Sequence, residues 1–356
     1  KDDNPWQLSG GDIKWYTDWL AVRGVNLFIP HAFYYSICGK RKDERPPDVG
    51  PHSIWWVHYE AWSTYWRRLS WLMTDIDLHA EVAVLCRNRD LCPDTVRPLF
   101  ERQIGFQYIP ESYFPACTVE DGALCLHGHR YTAVLGDKAL FPDAAHPEVS
   151  ALEPDCRCDP PQPMLRCASF NKEGRACWLL VNEGNTPIKT RLTLPVDAPL
   201  CRCDLWNGQP CACPAEHTAK GACLPLELPA RGSLLLFTCT TQETKILPLP
   251  PTYLSLPVPD FILVEEDAAR AAKTYRAVLQ VAAADIEAAT PLLTLRGQEM
   301  AELTVNGQPA GVSFWQPHKF PLAGLLTPGE NTLTLTLTGS PANRYGKHPV
   351  PYGLER

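Results

Sequence analysis

Long hydrophobic runs and an excess of positive charge are both missing from this 356-residue chain. No apolar run approaches the roughly 20 residues that a membrane-spanning helix needs, so we expect no membrane partner. The formal net charge is −7 and the sequence pI is near 5.8, which predicts no surface for nucleic acid. Hydrophobic residues make up 45% and charged residues 21%, a composition typical of a folded chain long enough for several domains.

A glycine-rich phosphate loop is missing as well. Apart from Glu81, residues 81–86 are apolar and include two β-branched valines, as in a buried parallel strand. The chain then continues as CRNRDL over residues 86–91, where a nucleotide-binding fold would need GxGxxG. We therefore reject a nucleotide-using enzyme and expect no cofactor.

The 15 cysteines include three Cys-x-Cys pairs, at 156–158, 201–203 and 211–213. A zinc site usually has two or more residues between paired ligands, whereas two strand side chains with one residue between them point the same way. An odd number of cysteines spread over the whole chain does not resemble a compact disulfide framework either. We favour free thiols that act as small hydrophobic residues in a reducing cytoplasm, and expect no metal. The chain begins with Lys1 rather than Met, so the sequence does not decide whether a signal segment precedes it.

Six of the 11 tryptophans lie between Trp15 and Trp66. In this region we predict a helix over residues 12–22, a buried strand over 25–29, a polar and aromatic loop, and a second helix over 59–73. A strand followed by such a loop and a helix is typical of the ligand-binding end of an α/β unit. No earlier strand is available to pair with residues 25–29, and one strand cannot bury both of its faces. We therefore expect that an upstream part of the fold is absent.

After residue 77 the pattern of apolar and polar residues changes several times. Strand and helix patterns predict a small α/β module over residues 78–159. Alternating apolar residues then predict an antiparallel β-sandwich over 160–246. Thirty-five prolines cluster at boundaries, and those within 247–259 indicate a semi-rigid linker. Residues 260–356 show further alternation and an Asn306-Gly307 hairpin signal, which predicts a jelly roll.

The last domain carries, in order, VNG at 305–307, WQPH at 315–318 and GENTL at 329–333. It resembles the galactose-binding-type jelly roll attached to many glycoside hydrolases of the family 2 kind. Upstream, RGVN at 23–26, PHAFYYS at 30–36 and the loop 40–56 resemble the last barrel strand and sugar-side loop of large bacterial-type glycosidases, similar to families 2, 42 and 106. This resemblance implies that residues 1–77 are the C-terminal portion of a (β/α) barrel.

The resemblance implies a role for the whole chain. It would be the C-terminal region of a multidomain glycoside hydrolase that acts on a plant or host glycan. The two carboxylates that cleave a glycosidic bond would lie on earlier barrel strands, so we expect no catalytic residue here and an upstream barrel portion as partner. Asp43 and Glu44 lie among basic residues that keep carboxylates ionised, and we interpret them as loop ion pairs. The alternative is a non-catalytic carbohydrate-binding or structural module.

Candidate sugar contacts come from the loop and the last domain. Asp48 follows two prolines that stiffen the loop and is a better acceptor for sugar hydroxyls than a proton donor. His31 is either a ligand or a structural histidine, one tyrosine of the Tyr34-Tyr35 pair is expected in the core, and so is one indole of the Trp55-Trp56 pair. Trp315 is either a sugar contact or part of a structural brace. The full set is His31, Tyr34, Tyr35, Arg45, Asp48, Trp55, Trp56 and Trp315.

Overall fold

The computed structural model describes residues 6–43, 48–87 and 89–355. They divide between two units: residues 6–16, 28–43, 48–64 and 251–355 form the first, and 17–27, 65–87 and 89–250 form the second. The α-helices are Gly10–Ala21, Tyr59–Met73, Pro93–Glu101, Thr241–Ile246, Ala283–Ala288 and Pro341–Tyr345; the 3₁₀ helices are Gly39–Asp43, Trp56–His58, Glu111–Ala116 and Val149–Ala151. Among the described residues, no helix is long and apolar enough to cross a membrane.

The two predicted N-terminal helices are present. In the first, the Ser9 hydroxyl accepts a hydrogen bond from the Asp12 amide at 3.1 Å, and the Asp12 carboxylate accepts one from the Ser9 amide at 3.3 Å, which is the expected reciprocal cap. Gly24 follows this helix with a φ of +92°, a left-handed conformation that glycine adopts without strain. Tyr59–Met73 has the predicted bounds, because apolar residues at helical spacing give it one buried face.

The predicted strand at residues 25–29 was wrong. These residues contain no strand in the structure, and the side chains of Leu27 and Ile29 are 67% and 78% exposed. An apolar stretch becomes a buried strand only when neighbouring strands satisfy its backbone groups and cover its faces, and no described strand pairs with residues 25–29.

The first unit is built on two main sheets. The five-stranded antiparallel sheet has the order Ile262–Asp267, Ala272–Val281, Gly329–Thr338, Met300–Val305 and Gln308–Ser313. The three-stranded sheet has the order Tyr253–Ser255, Thr290–Leu295 and His318–Pro321, and a short sheet joins Gly297–Gln298 to Gly353–Leu354. Leucines of both main sheets share one core. Asn306 and Gly307 form the predicted hairpin turn with φ of 51° and 78°, as a type I′ turn requires.

The second unit contains four sheets. An antiparallel six-stranded sheet has the order Asp77–Leu78, Leu165–Lys172, Arg175–Asn182, Ser233–Thr238, Leu200–Asp204 and Gln209–Cys213. A four-stranded sheet has the order Glu216–Thr218, Gly221–Leu228, Ile188–Leu194 and Arg157–Asp159. These two sheets bury a common core, as a sandwich does. The smaller sheets are the parallel Phe106–Pro110, Val82–Cys86, Ala133–Leu135 and the antiparallel Thr118–Glu120, Ala123–Leu126, His129–Tyr131.

Candidate functional site

Asp48 organises the loop that the sequence singled out. Its side chain is fully buried, and Oδ1 accepts hydrogen bonds from the amides of Tyr34 at 3.1 Å and Gly50 at 3.0 Å. Oδ2 lies 2.9 Å from both the amide and the ring Nδ1 of His52. Both carboxylate oxygens are therefore engaged within the protein, and Asp48 acts by holding the two sides of the loop together.

Close packing accompanies these hydrogen bonds. A Cβ atom on Gly50 would lie 2.8 Å from Cδ1 of Phe33 and 3.1 Å from Oδ1 of Asp48, so only glycine fits at this position. Ala32 has a φ of +73°, and its carbonyl accepts the Val49 amide at 3.0 Å. A left-handed alanine is a strained conformation that the surrounding contacts must maintain. These contacts fix the position of the Phe33 side chain.

Three aromatic rings form a partly exposed group, which we call the aromatic patch: Phe33, Trp56 and Tyr59. The Phe33 ring centroid lies 6.1 Å from that of Trp56 and 5.7 Å from that of Tyr59, and Trp56 and Tyr59 are 5.1 Å apart. Phe33 is 48% and Trp56 37% exposed. Trp56 and Tyr59 lie three residues apart in consecutive helical turns, a spacing that places both on one side.

The predicted site residues are only partly brought together. Trp55 is buried against Trp62 at 6.2 Å, and Trp315 is half-buried on the same indole at 6.2 Å. These two tryptophans therefore belong to one packed indole group. His31 is exposed, Tyr34 is half-buried, and Tyr35 is 97% exposed. Arg45 lies outside the described residues. Of the predicted residues, Asp48 and Trp56 remain connected with the patch, since the Gly50 turn held by Asp48 packs on Phe33.

Phe33, Tyr59 and a His58–Glu302 pair were not among the predicted site residues. Nε2 of His58 lies 3.0 Å from Oε1 of Glu302 beside the patch helix. Phe33 and Tyr59 were detectable, because they flank the predicted loop and helix. The His58–Glu302 contact joins positions 244 residues apart, a separation at which no local pattern carries a signal.

The patch offers binding chemistry more than catalysis. Exposed ring faces bury the apolar face of a bound ligand, while nearby polar groups orient it. Burial raises the pKa of the Tyr59 phenol, so its hydroxyl remains a hydrogen-bond donor at neutral pH. The Asp48 carboxylate already accepts four hydrogen bonds, so it is unsuited to proton transfer.

Comparison with known proteins gives a fold relationship. No protein-family model and no curated protein matches this chain. Among solved structures, a rhamnosidase from Novosphingobium sp. PP1Y is similar over 96% of this chain and 43% of its own length, with a TM-score of 0.67 and 14% identity. This chain thus spans less than half of the rhamnosidase.

Two further structures are similar over shorter parts. The β-galactosidase from Bacillus circulans sp. alkalophilus covers 49% of this chain and 44% of its own, with 12% identity and a TM-score of 0.25. The match to α-galactosidase I from Mortierella vinacea covers 26% of this chain and 24% of the galactosidase, with 20% identity and a TM-score of 0.17. Such low TM-scores do not indicate a shared overall fold. The β-rich fold of this chain is therefore similar to that of part of the rhamnosidase, a glycoside hydrolase.

Proposed function

We propose that this chain is the C-terminal region of a glycoside hydrolase and that its aromatic patch forms one wall of the sugar pocket. The observation that carries the proposal is the fold match, which extends over 96% of this chain but only 43% of the rhamnosidase. In this proposal residues 1–77 contribute helices, but no strand at 25–29, to a catalytic (β/α) barrel, and residues 260–356 are an attached jelly roll.

The aromatic patch supports a binding role for this chain. Glycoside hydrolysis needs two carboxyl groups on either side of the scissile bond. The patch presents ring faces, and the Asp48 carboxylate that holds the adjacent Gly50 turn is buried and hydrogen-bonded through both oxygens. We propose that the acid and the nucleophile or base lie in the upstream barrel portion. A rhamnose-containing plant or host glycan is the first substrate to test, because the similar fold belongs to a rhamnosidase.

The direct test compares residues 1–356 with a longer protein that also contains the amino acids encoded immediately before Lys1. We expect the longer protein to release 4-nitrophenol from 4-nitrophenyl rhamnoside or from another member of an aryl glycoside panel, and residues 1–356 to show no turnover. Turnover by residues 1–356 alone would contradict the proposal. Glycan binding without any activity in the longer protein would favour the non-catalytic carbohydrate-binding alternative.

The patch itself is tested with Trp56→Ala in the active, longer protein. Loss of one exposed indole face should raise KM roughly tenfold, or ~1.4 kcal/mol, with a smaller effect on kcat. Trp71→Ala is the matched control, because Trp71 is 57% exposed and lies outside the patch. Equal kinetic effects of the two substitutions would remove the patch from the proposed pocket.

A further inference from the structure

A cavity of about 1130 Å³ opens within the second unit. It lies between strands of the parallel sheet and strands of the sandwich, and none of its lining residues belongs to the aromatic patch. Ligand pockets usually enclose ~300–1,000 Å³, so this cavity has room for a ligand larger than a single ion or a single small ring. Its polar and charged lining residues include Glu81, Arg130, Asp155, Arg157, Trp178 and Lys220.

Asp155 places a carboxyl group in the cavity wall. The Asp155 amide donates to the Gln103 carbonyl at 2.8 Å, and the Gly105 amide hydrogen-bonds to the Asp155 carboxyl group. A Cβ on Gly105 would lie 2.7 Å from Asp155 Oδ2 and 2.5 Å from the His79 carbonyl, so the approach depends on glycine. This local packing fixes the carboxyl group in one place.

Two buried polar atoms of the lining have no hydrogen-bond partner among the described residues: Oδ2 of Asp155 and Nε1 of Trp178. One is an acceptor and the other a donor. Buried polar groups in folded proteins are nearly always paired, so each exception needs an explanation. An acceptor and a donor on the wall of one cavity match a ligand that carries hydroxyl groups, because a hydroxyl both donates and accepts.

The charges around the cavity balance. Arg130, Arg157 and Lys220 oppose Glu81, Glu153 and Asp155, so neither sign predominates. Arg157 forms an ion pair with Glu153, and Glu81 accepts a hydrogen bond from the Thr132 hydroxyl at 3.2 Å. The guanidinium of Arg130 approaches only the Cys125 sulfur, at 4.0 Å, among the contacts of the described residues. A balanced lining with available donors and acceptors favours a neutral, hydroxylated ligand over an anion or a cation.

Asp155 adds versatility to this lining. Burial raises the pKa of its carboxyl group to about 7, and the nearby Glu81 carboxylate acts in the same direction. At neutral pH the group is therefore present in both forms, so it can accept a hydrogen bond from a sugar hydroxyl or donate one to it.

We propose that this cavity is a second carbohydrate-binding site, separate from the aromatic patch, that takes a neutral oligosaccharide of two or more sugar units. Asp155 and Trp178 supply the buried contacts, and Arg130 and Lys220 supply the exposed ones. The choice of sugars as the hydroxylated ligand rests on the proposed glycosidase function. The cavity and its polar lining are observed independently of that function.

The test is calorimetric titration of residues 1–356 with neutral trisaccharides of rhamnose, galactose, xylose and glucose. We expect at least one to bind, and Asp155→Asn and Arg130→Ala each to weaken that binding roughly tenfold. Arg97→Ala is the matched control, because Arg97 is exposed and lies outside the cavity. Unfolding temperatures verify that each variant is folded. Wild-type affinity should also change between about pH 6 and about pH 8, and this change should be smaller in Asp155→Asn.

The outcomes separate the two proposals. Absence of binding by every trisaccharide, or binding that Trp56→Ala abolishes and both cavity substitutions leave unchanged, overturns the cavity site and leaves the glycosidase proposal standing. Binding that the cavity substitutions weaken, together with a longer protein that is inactive on all glycosides, supports the cavity site and overturns the glycosidase proposal.

Discussion

Asp48 is a buried carboxylate that holds Tyr34, Gly50 and His52 together. In Asp48→Asn, the new NH₂ group would face the His52 amide or the Tyr34 and Gly50 amides, all of which are donors. Loss of charge-assisted hydrogen bonds at a buried site should lower the free energy of unfolding by about 3 kcal/mol. Urea unfolding followed by tryptophan fluorescence measures this loss. Asp94→Asn is the control, since the Asp94 side chain is 96% exposed; equal urea midpoints for the two variants would contradict this role.

Glu299 predicts a pH dependence of stability. Burial, with a smaller contribution from Asp12, raises the pKa of Glu299 from 4.5 to about 7. The folded state therefore favours the protonated form, so the stability contribution is fully present below about pH 4.5 and is lost as the pH rises through about 7. Glu299→Gln keeps the neutral form at all pH values, and should raise stability at about pH 8 on the order of 2 kcal/mol relative to wild type. Thermal unfolding at about pH 5 and about pH 8 tests this.

The matched control for this pH experiment is Glu330→Gln, because Glu330 is exposed. Asp155, whose pKa is also raised to about 7, titrates in the same direction, so some pH dependence should persist in Glu299→Gln. A wild-type and a Glu299→Gln protein with the same stability difference between the two pH values would contradict the assignment.

Strand Gly329–Thr338 has one face that packs in the core and another that is more exposed. Leu333, Leu335 and Leu337 are fully buried, while Thr332 is exposed. Leu335→Ala should lower the free energy of unfolding by about 3 kcal/mol, because it leaves a cavity in the core. Thr332→Ala should change it by less than about 0.5 kcal/mol. Urea unfolding compares the two variants; a similar loss in both would place the core elsewhere.

The same strand and residues 25–29 explain which elements were predictable. Alternation along Gly329–Thr338 coincides with real pairing on both sides, to Ala272–Val281 and Met300–Val305. Residues 25–29 have an equally apolar pattern but no strand partner among the described residues, so the pattern did not become a strand. Hydrophobic periodicity predicts a buried element only where the rest of the fold supplies the surface that covers it.

At the level of the complete chain, the thiols report on packing. All 15 cysteines are free: Cys38 is exposed, six are half-buried and eight are buried. Burial raises the pKa of Cys177, Cys203 and Cys213 to about 11, which suppresses the reactive thiolate. A thiol reagent should therefore label Cys38 first in the native protein and all 15 thiols in guanidinium. Cys38→Ser should remove the first phase, and Cys177→Ser should leave it; rapid labelling of many native thiols would contradict the packing.

Local residue patterns by themselves determined the β-rich character, the helix Tyr59–Met73 and the Asn306-Gly307 hairpin, because these follow from periodicity and from the φ values that side chains allow. Contacts between distant residues decided the rest. Asp48 is a buried hydrogen-bond centre, Trp55 and Trp315 both pack on Trp62, and Phe33 lies beside Trp56 and Tyr59. A residue's type limits what it can do, but its burial and partners depend on chain segments that sequence spacing does not bring together.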